Sequence, residues 1–518
     1  MLLPTDTSIA TKIRKMHGRV RWQHPLLVER NIDQTRLFID DGRAEDTEFS
    51  FMVIGDSGTG RYRGDSPQRR VAEAMLSQGQ DARFCLHTGD VVYLVGSSEQ
   101  YFDNFINPYR EWLVGGDMPK KIAYDQMVFR RPFLPTLGNH DYYNLPRLLG
   151  GLSILSKPFR KLLQSYIDID LGRHGSYTGK AYAKAFMDCL EELEPGQLSD
   201  HLEQYYTAVD GTCLRYVPGE FTRVPNRYYT FRYGGIDFFA LDSNTFNEPQ
   251  PLSHGQEGLE QRHRLILERS ELEKTRLALL EKVAKLDPDD PNQTEQIDDF
   301  SGDAEQLEEE IRDISKQLKP AVFHNKNDVE QLYWLRDRLI ASWQDPTSQG
   351  RILYFHHPPY VTEITKWPQA QTLAVRQNLR QVLAEVKAAI GKRVNGRPSV
   401  DLIINGHAHC LEYLRTADSG LADGNIPCLV CGGSGYSLRR QRDNGPDILE
   451  VINDKPQRVA TSHLFIGREG QGTQQRSPYS CLRVNVKGGD PPQFVVQPIV
   501  VEKNQHQWKL SDVAPLVL

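Results

Sequence analysis

The chain of 518 residues is long enough for one large domain with insertions, or for two to three modest domains. Hydrophobic residues make up 39% of the sequence and charged residues 25%, values that are typical of a globular protein. The formal net charge of −6 provides no global basic field to hold nucleic acid or an anionic membrane, so we expect neither as a partner.

The sequence also lacks the usual signals for export or membrane insertion. No apolar run approaches the ~20 residues that span a bilayer, and residues 1–23 lack the apolar core of a secretory signal. The seven cysteines are an odd and scattered set, which is typical of reduced thiols. Cys428 and Cys431 form a lone C-x-x-C motif, and we interpret them as small apolar strand residues. These features predict a cytoplasmic protein.

In chain order, a polar segment comes first, followed by alternating strands and helices. We interpret residues 1–47 as an N-terminal extension of a domain that spans 48–518. Amphipathic patterns predict helices over 66–78, 331–343 and 373–390. Alternation of strands with helices predicts an α/β architecture around a central sheet. The apolar runs that predict buried strands are FSFMVIGD, ARFCLHTGD, RRPFLPTLGNHD, RYYTFRYGGIDFFALDSN, GRILYFHHPP, VDLIINGHAH and IPCLVCGG.

Two segments interrupt this alternation. Residues 144–224 predict a mixed, partly helical insertion. Residues 255–320 carry apolar side chains at helical spacing on both sides of a polar break, which predicts an antiparallel helical hairpin. We expect its two helices to cover each other's apolar stripes and otherwise to meet solvent. A dimerisation arm or a lid is the alternative, although each stripe is short for a coiled coil.

Five of the strand runs end in residues that bind metal ions well. Ligands of open α/β sheets bind outside the carboxyl ends of the strands, so we expect the five ends to converge on one site. Each motif alone is ordinary, but together at successive strand ends they indicate a shared metal site. The residues are Asp56 in GDSG, Asp90 and Tyr93 in GDVVY, Asn139, His140 and Asp141 in GNHD, His356 and His357 in FHHPP, and His407 and His409 in GHAH.

The inventory of donors bears on the number of metal ions. Two aspartates, one tyrosine, one asparagine and three histidines make seven donors, too many for one tetrahedral ion. If one carboxylate bridges, the donors divide into two sets of four. The sequence therefore predicts two adjacent ions.

These motifs, in this order, resemble the purple acid phosphatase branch of the calcineurin-like metallophosphoesterases. The pattern of that family is D-x-G, G-D-x-x-Y, G-N-H-D/E, a histidine in H-x-P, and G-H-x-H. The resemblance covers roughly 49–143, 226–247 and 330–440, and the hairpin at 255–320 is not part of it. It implies a four-layer αββα sandwich of mixed sheets flanked by helices, here with helical insertions. The absence of a visible secretion signal is a second departure, since members of this branch are mostly secreted.

The resemblance also implies a role for each motif residue. Asp90 would bridge the two ions, and His356 is preferred to His357 because the ligand of the family stands two residues before the proline. A phenol ligates well as phenolate, which favours Fe(III) in the first site, with Fe(II), Zn or Mn in the second. The first ion would be held by Asp56, Tyr93 and His409, and the second by Asn139, His356 and His407.

The implied enzyme is a binuclear metal-dependent phosphoric ester hydrolase, acid phosphatase-like, that cleaves phosphomonoesters by in-line attack of a metal-bound hydroxide. His140 would bind the phosphate and protonate the leaving oxygen. Asp141 would orient His140 or a ligand, or is a plain turn carboxylate. Two arginines, Arg439 and Arg440, follow the last strand run. We expect them to be a solvated pair rather than contacts of the substrate phosphate.

The expected substrate is a phosphorylated small molecule or a phosphoprotein. A phosphodiesterase with the same metals is an alternative function. A scaffold or interaction protein that acts through the helical hairpin is an alternative of another class, and self-association through 255–320 is compatible with either. The scaffold predicts a broken ligand set, whereas all seven positions are present.

The proposed Fe(III)–tyrosinate pair gives a first prediction. The purified protein should absorb visible light, because charge transfer from a phenolate to Fe(III) produces colour. Tyr93→Phe should abolish this absorption, measured by visible spectroscopy beside elemental analysis. A colourless, active protein without iron would overturn the iron assignment and leave the phosphatase prediction standing.

Overall fold

The structure is a computed structural model that describes every residue except 1–4, 59–65, 146–174, 208–211, 288–290, 321–325, 395, 471–475 and 505–506. The α-helices are α1 (Ile9–Arg19), α2 (Pro25–Glu29), α3 (Pro67–Gln78), α4 (Lys180–Phe186), α5 (Pro195–Tyr205), α6 (Gln256–Val283), α7 (Pro291–Gln317), α8 (Val329–Gln344) and α9 (Ala370–Ile390). The strands are β1 (Asp33–Ile39), β2 (Phe49–Ile54), β3 (Cys85–His87), β4 (Phe133–Pro135), β5 (Cys213–Tyr216), β6 (Tyr229–Tyr233), β7 (Ile236–Ala240), β8 (Gly350–Phe355), β9 (Leu402–Asn405), β10 (Leu411–Thr416), β11 (Pro427–Cys431), β12 (Asp447–Ile452), β13 (Lys455–Ile466), β14 (Tyr479–Lys487), β15 (Gln493–Asn504), β16 (Gln507–Ser511) and β17 (Leu516–Val517).

Two mixed β-sheets pack face to face. The larger has ten strands in the order β12-β13-β10-β11-β9-β8-β7-β6-β1-β5, and the smaller has the order β16-β15-β14-β2-β3-β4, with β17 paired to β15. Aromatic side chains fill the space between the sheets: the ring of Phe238 on β7 lies 5.5 Å from that of Phe51 on β2 and 5.4 Å from that of Phe84. Edge-to-face pairs of this kind add to the free energy gained by burying the rings.

Helices cover the outer faces of both sheets. Helix α3 packs on β14 and β15 of the smaller sheet. Leu335 and Leu339 of α8 and Val375 of α9 form a second core with Leu353 and Phe355 of β8. The layers are therefore helix, sheet, sheet and helix, which confirms the fold class expected from the motifs.

Local sequence signals explain where the predicted elements begin and end. Ser66 accepts a hydrogen bond from the amide of Arg69 and caps α3, Pro67 occupies its first turn, and Gly79 ends it. Every residue of β2 is buried, because this strand lies inside the sandwich, and its sequence is accordingly a continuous apolar run. The seven predicted strand runs and the three predicted helices are confirmed.

The segment 1–47, predicted to be an extension, is partly built into the larger sheet. Strand β1 lies between β5 and β6, and Leu37 and Ile39 on it are buried. Its sequence, DQTRLFI, has four polar residues followed by three apolar ones, and an apolar run of three is too short to indicate a buried strand. Strand β5 comes from the predicted insertion 144–224, of which residues 146–174 lie outside the described residues.

The hairpin predicted over 255–320 consists of α6 and α7. Val283 of α6 and Ile311 and Ile314 of α7 are buried between the helices and the domain. The helices run antiparallel, since cross-helix contacts pair the start of one with the end of the other. These contacts are Arg262 Nη1 to the Leu318 carbonyl at 2.8 Å, Arg276 Nη2 to Glu308 at 2.9 Å, and Lys282 Nζ over the Phe300 ring at 5.6 Å.

A buried ion triad ties the larger sheet to α8. Arg227, which is 1% exposed, lies beside β6 and donates hydrogen bonds to Asp328 and to Asp242, the latter at 3.4 Å. Asp328 also caps α8 by accepting from the amide of Gln331. One carboxylate thus neutralises a buried guanidinium and fixes the start of a helix.

Asp328→Ala should lower the free energy of unfolding by about 3–5 kcal/mol, because it leaves Arg227 buried with one partner fewer. The measurement is urea denaturation followed by circular dichroism. Asp337→Ala is the matched control: it removes an ion pair with Arg336 whose carboxylate is 64% exposed, so the loss should stay below about 1 kcal/mol. Equal losses in both variants would contradict the role of the triad.

Across the part of the chain that the structure describes, no helix combines the length and the apolar character that crossing a bilayer requires.

Candidate metal centre

The predicted donors meet where the carboxyl ends of strands from both sheets come together. Asp56, Asp90 and Asn139 follow the parallel strands β2, β3 and β4 of the smaller sheet. His356 follows β8 and His407 follows β9, which are parallel neighbours in the larger sheet. Because the two sheets are stacked, their strand ends place seven donors from distant parts of the chain in one buried site.

Three of these donors sit on backbone in the left-handed region. Asp56 has φ 52°, Asp90 φ 54° and His407 φ 66°. Such conformations are costly for residues other than glycine and cluster at functional sites. The glycines beside them allow close approach, since a Cβ on Gly138 would lie 2.0 Å from Oδ1 of Asp90 and one on Gly406 would lie 2.6 Å from Oδ2 of Asp56. These turns direct the carboxylates of Asp56 and Asp90 toward the other donors.

The hydroxyl of Tyr93 is the centre of the first group of donors. It lies 3.0 Å from Oδ1 of Asp56, 2.9 Å from Oδ2 of Asp90 and 3.2 Å from Nε2 of His409. The Tyr93 ring is itself held by Tyr436, which stacks on it with 3.8 Å between the ring centres and an angle of 6°. All four donors of this group are buried.

The second group surrounds Nε2 of His356. This atom lies 3.0 Å from Oδ1 of Asn139, 3.1 Å from Nδ1 of His407 and 3.3 Å from Oδ2 of Asp90. Oδ2 of Asp90 therefore belongs to both groups. Each group offers four donors when Asp90 is counted twice, which is the division that the sequence predicts.

His357 has a different environment from its neighbour. Its Nδ1 is hydrogen-bonded to Oγ of Ser243 at 2.8 Å, and its Nε2 lies 3.2 Å from the amide nitrogen of Asn247. Its ring also forms a potential metal-binding trio with His356 and His407. The contacts with Ser243 and Asn247 leave His356 as the histidine that reaches Asp90 and Asn139.

The electrostatics of the site are those of several anions and lone pairs that are buried together. Burial, with a contribution from Asp90, raises the pKa of Asp56 to about 7. Burial opposes ionisation of Asp90 as well, but the imidazoles of His356 and His140 hold the pKa of that carboxyl well below its usual range. Burial and the two carboxylates raise the pKa of Tyr93 well above its ordinary value. A phenolate here therefore needs a cation beside it.

The histidines respond to the same surroundings. Burial disfavours the charged form of His356, but the Asp90 carboxylate outweighs it and raises its pKa to about 9. Burial lowers the pKa of His407 and of His409 well below the usual value, so both are neutral and able to ligate. The donor set of buried carboxylates, neutral imidazoles, a phenol and an amide oxygen fits two hard or borderline cations.

The cluster satisfies a simple distance test for metal binding. One oxygen each of Asp56 and Asp90 and one ring nitrogen of His356 lie within 4.8 Å of one another, and so do ring nitrogens of His356, His357 and His407. These residues could hold metal ions, and the two trios have His356 in common, whereas the two donor groups described above have Asp90 in common.

His140 lies next to both groups and faces the site. Its Nδ1 donates to the carbonyl of Leu94 at 2.5 Å, which fixes the ring with Nε2 on the side of the donors. Nε2 is 3.9 Å from Oδ2 of Asp90 and 3.7 Å from Oε1 of Glu309. His140 is thus oriented by the backbone.

Asp141 holds the loops that carry the donors. Its buried carboxylate accepts from the amides of Asp90 at 3.0 Å, Val91 at 3.2 Å and Gly138 at 2.9 Å. These contacts place it under the Asp90 turn, where it fixes a donor through the backbone. Of the two interpretations of Asp141, orientation of a candidate ligand has this support.

Sequence reasoning missed Tyr436, Lys366 and Glu309. Tyr436 follows β11 in a glycine-rich turn, a position that gives a weak signal in the sequence. Lys366 is 2% exposed and pairs with Glu309 of α7. Burial and Arg439 lower the pKa of Lys366 to about 7, and the carboxylates of Asp56 and Asp90 only partly oppose this shift.

The expectation of a solvated arginine pair is wrong for Arg439. This residue is 6% exposed, and its Nη2 donates to the carbonyl of Gly302 in α7 at 2.8 Å. The hairpin covers Arg439, and this contact between distant segments has no local sequence signal. Arg440 is more exposed and donates to the Gly470 carbonyl.

Comparison with known proteins gives structural matches only. No protein-family model and no curated protein matches the sequence. Among solved structures, the yellow lupin (Lupinus luteus) purple acid phosphatase is 12% identical at a TM-score of 0.42, with 88% of this chain and 52% of the lupin chain covered. The protein thus spans about half the length of the lupin enzyme.

Two other solved structures cover most of both chains. A dimetal phosphatase from Danio rerio is 12% identical at a TM-score of 0.35, with 90% of this chain and 98% of the other covered. GAP50, the anchor in the inner membrane complex of Plasmodium, is 11% identical at 0.35, with 90% and 89% covered. At these values the matches assign no activity, and function is inferred from the side chains of the centre.

The contrast between the two adjacent histidines gives a prediction. His356→Ala should lower the amount of tightly bound metal, because its Nε2 lies among three other donors, whereas His357→Ala should retain it. Metal content after dialysis, measured by mass spectrometry, is the readout. The two variants change the same residue type at neighbouring buried positions, so equal metal loss in both would contradict the assignment of His356.

Proposed function

We propose that the protein is a binuclear metal-dependent hydrolase of phosphomonoesters. The observation that carries this proposal is the convergence of two donor groups that share the Asp90 carboxylate. Two neighbouring cations with a common carboxylate are suited to bind and polarise a phosphoryl group. His140, oriented toward the same space, supplies a proton donor beside it.

In this proposal, Asp90 would bridge the two sites. The Tyr93 phenol favours a hard trivalent ion, so Fe(III) is the proposed occupant of the first site, and Fe(II), Zn or Mn of the second. The first site consists of Asp56, Tyr93 and His409, and the second of Asn139, His356 and His407.

The cations, when bound, would supply an activated water and neutralise charge on the phosphoryl oxygens. The chain itself orients the remaining chemistry. The Leu94 carbonyl keeps a proton on Nδ1 of His140, so a proton delivered to the leaving oxygen comes from Nε2 of the imidazolium. Asp141 keeps the Asp90 and Gly138 turns in place through their backbone amides, as the two donor groups require.

Helix α7 supports a monoester rather than a diester as substrate. Its Glu309 lies 3.7 Å from Nε2 of His140 and so narrows the space beside this residue. A phosphodiester carries a second ester group that must fit in the same space, whereas a monoester needs room on one side only. The proposed substrates are phosphorylated small molecules or phosphoproteins that present a terminal phosphate, with neither nucleic acid nor membrane as a partner.

The experiment compares hydrolysis of p-nitrophenyl phosphate with that of bis(p-nitrophenyl) phosphate by the metal-loaded protein. We expect turnover of the monoester to exceed that of the diester, because the diester must also place a second ester group beside Glu309 of α7. His140→Asn should lower kcat on the order of a hundredfold or more while metal content stays unchanged, since the variant lacks the proton donor.

Asp90→Ala is the control for the metals, and its metal content and activity should fall together. Faster turnover of the diester would favour the phosphodiesterase instead. Absence of hydrolysis of both esters by a protein with two bound ions would overturn the proposal and favour a scaffold role.

A further inference from the structure

Helix α7 of the hairpin approaches the metal centre through one face. Glu309, Arg312, Asp313 and Lys316 recur at intervals of three and four residues, so they project from the same side of the helix. This side meets the domain instead of α6. The expectation that the hairpin helices otherwise meet solvent does not hold for this face.

Three contacts anchor this face to the rim of the site. The Asp313 carboxylate accepts from the first amides of α9, those of Ala370 at 2.9 Å and Gln371 at 3.1 Å. The Arg312 guanidinium lies over the ring of Tyr143 at 4.6 Å. Tyr143 in turn accepts a hydrogen bond from the amide of the candidate ligand Asn139 at 3.0 Å.

Glu309 is the residue of this face that enters the site. Its Oε1 lies 3.7 Å from Nε2 of His140, and its Oε2 pairs with the ammonium of Lys366. The side chains are 16% exposed for Glu309, 10% for His140 and 2% for Lys366. A carboxylate thus lies between two cationic or proton-donating groups at the edge of the donor cluster.

We infer that Glu309 is an internal competitor of the substrate, a carboxylate supplied by the hairpin that occupies the space between His140 and Lys366 where the phosphoryl group of a substrate binds. This inference rests on the proposed function and adds a specificity-determining residue to it. When Glu309 is displaced, His140 and Lys366 both bind the phosphoryl group.

The energetics follow from charge. A phosphate monoester carries about −1.5 to −2 charges at neutral pH, and it must displace one carboxylate from its partners before it binds them. The apparent affinity for the substrate is therefore reduced in proportion to the fraction of molecules in which Glu309 is displaced. Highly charged terminal phosphates compete best for His140 and Lys366, and monoanionic diesters compete poorly. The hairpin thereby selects substrates without taking part in the chemistry.

The test is Glu309→Gln in the full-length, metal-loaded protein. The variant keeps the size of the side chain and removes its charge, so we expect KM for p-nitrophenyl phosphate to fall on the order of tenfold while kcat is retained. The dissociation constant of inorganic phosphate, measured by calorimetry, should fall by the same factor. In the double variant with Lys366→Gln this gain should disappear, because phosphate no longer finds the cation that Glu309→Gln made available.

Glu308→Gln is the matched control. It removes the same charge from the neighbouring residue, whose carboxylate contacts Arg276 and Arg312 within the hairpin. We expect its KM and phosphate affinity to match those of the unaltered protein. If both variants bind phosphate more tightly, the effect comes from the overall negative charge of the hairpin and not from Glu309 itself, and the inference fails. An unchanged KM in Glu309→Gln, or a lower kcat at constant KM, also overturns it.

Phosphate binding separates this inference from the proposed function. If the protein hydrolyses no ester but Glu309→Gln still binds inorganic phosphate more tightly, the competitor stands and the hydrolase proposal falls. If ester hydrolysis is present and the Glu309 variant binds phosphate as the unaltered protein does, the hydrolase stands and the competitor falls.

Discussion

Burial of two neighbouring carboxylates is the constraint around which the centre is arranged. Asp56 and Asp90 are at most 1% exposed, and the Tyr93 hydroxyl touches both. Anions in such surroundings lose their hydration and are stable only with hydrogen bonds and positive charge in its place. The opposite shifts of their pKa values show that the protein groups alone do not stabilise both charges. The left-handed turns, the close glycines and the amides held by Asp141 all maintain an arrangement that favours cations.

Much of the fold and of the candidate site could be predicted because the relevant signals are local. Strand β2 is buried on both faces, and its sequence is therefore a nearly continuous apolar run. The ends of α3 are marked by Ser66 and Pro67 at its start and by Gly79 at its end. Donors such as Asp56 and His407 stand within two residues of a strand end. Their convergence then follows from the rule that parallel strands present their carboxyl ends at one edge.

Contacts between distant segments could not be predicted in this way. Strand β1 begins with four polar residues, and its place in the sheet depends on pairing with β5 and β6, far along the chain. Glu309 and Lys366 look like ordinary charged residues of a helix and a loop. Both residues are largely buried only because α7 packs against the edge of the metal centre. The periodicity of 255–320 predicts the helices but does not indicate which part of the domain they contact.

The capping of α9 by Asp313 has a consequence for the architecture of the domain. The residue before α9, Gln369, makes no side-chain cap, so the first amides of this core helix depend on a carboxylate from an inserted segment. Excision of the two hairpin helices would therefore leave a helix of the second core frayed at its start. The hairpin is therefore a structural member of the domain, and a chain shortened by its removal would need a new N-cap for α9.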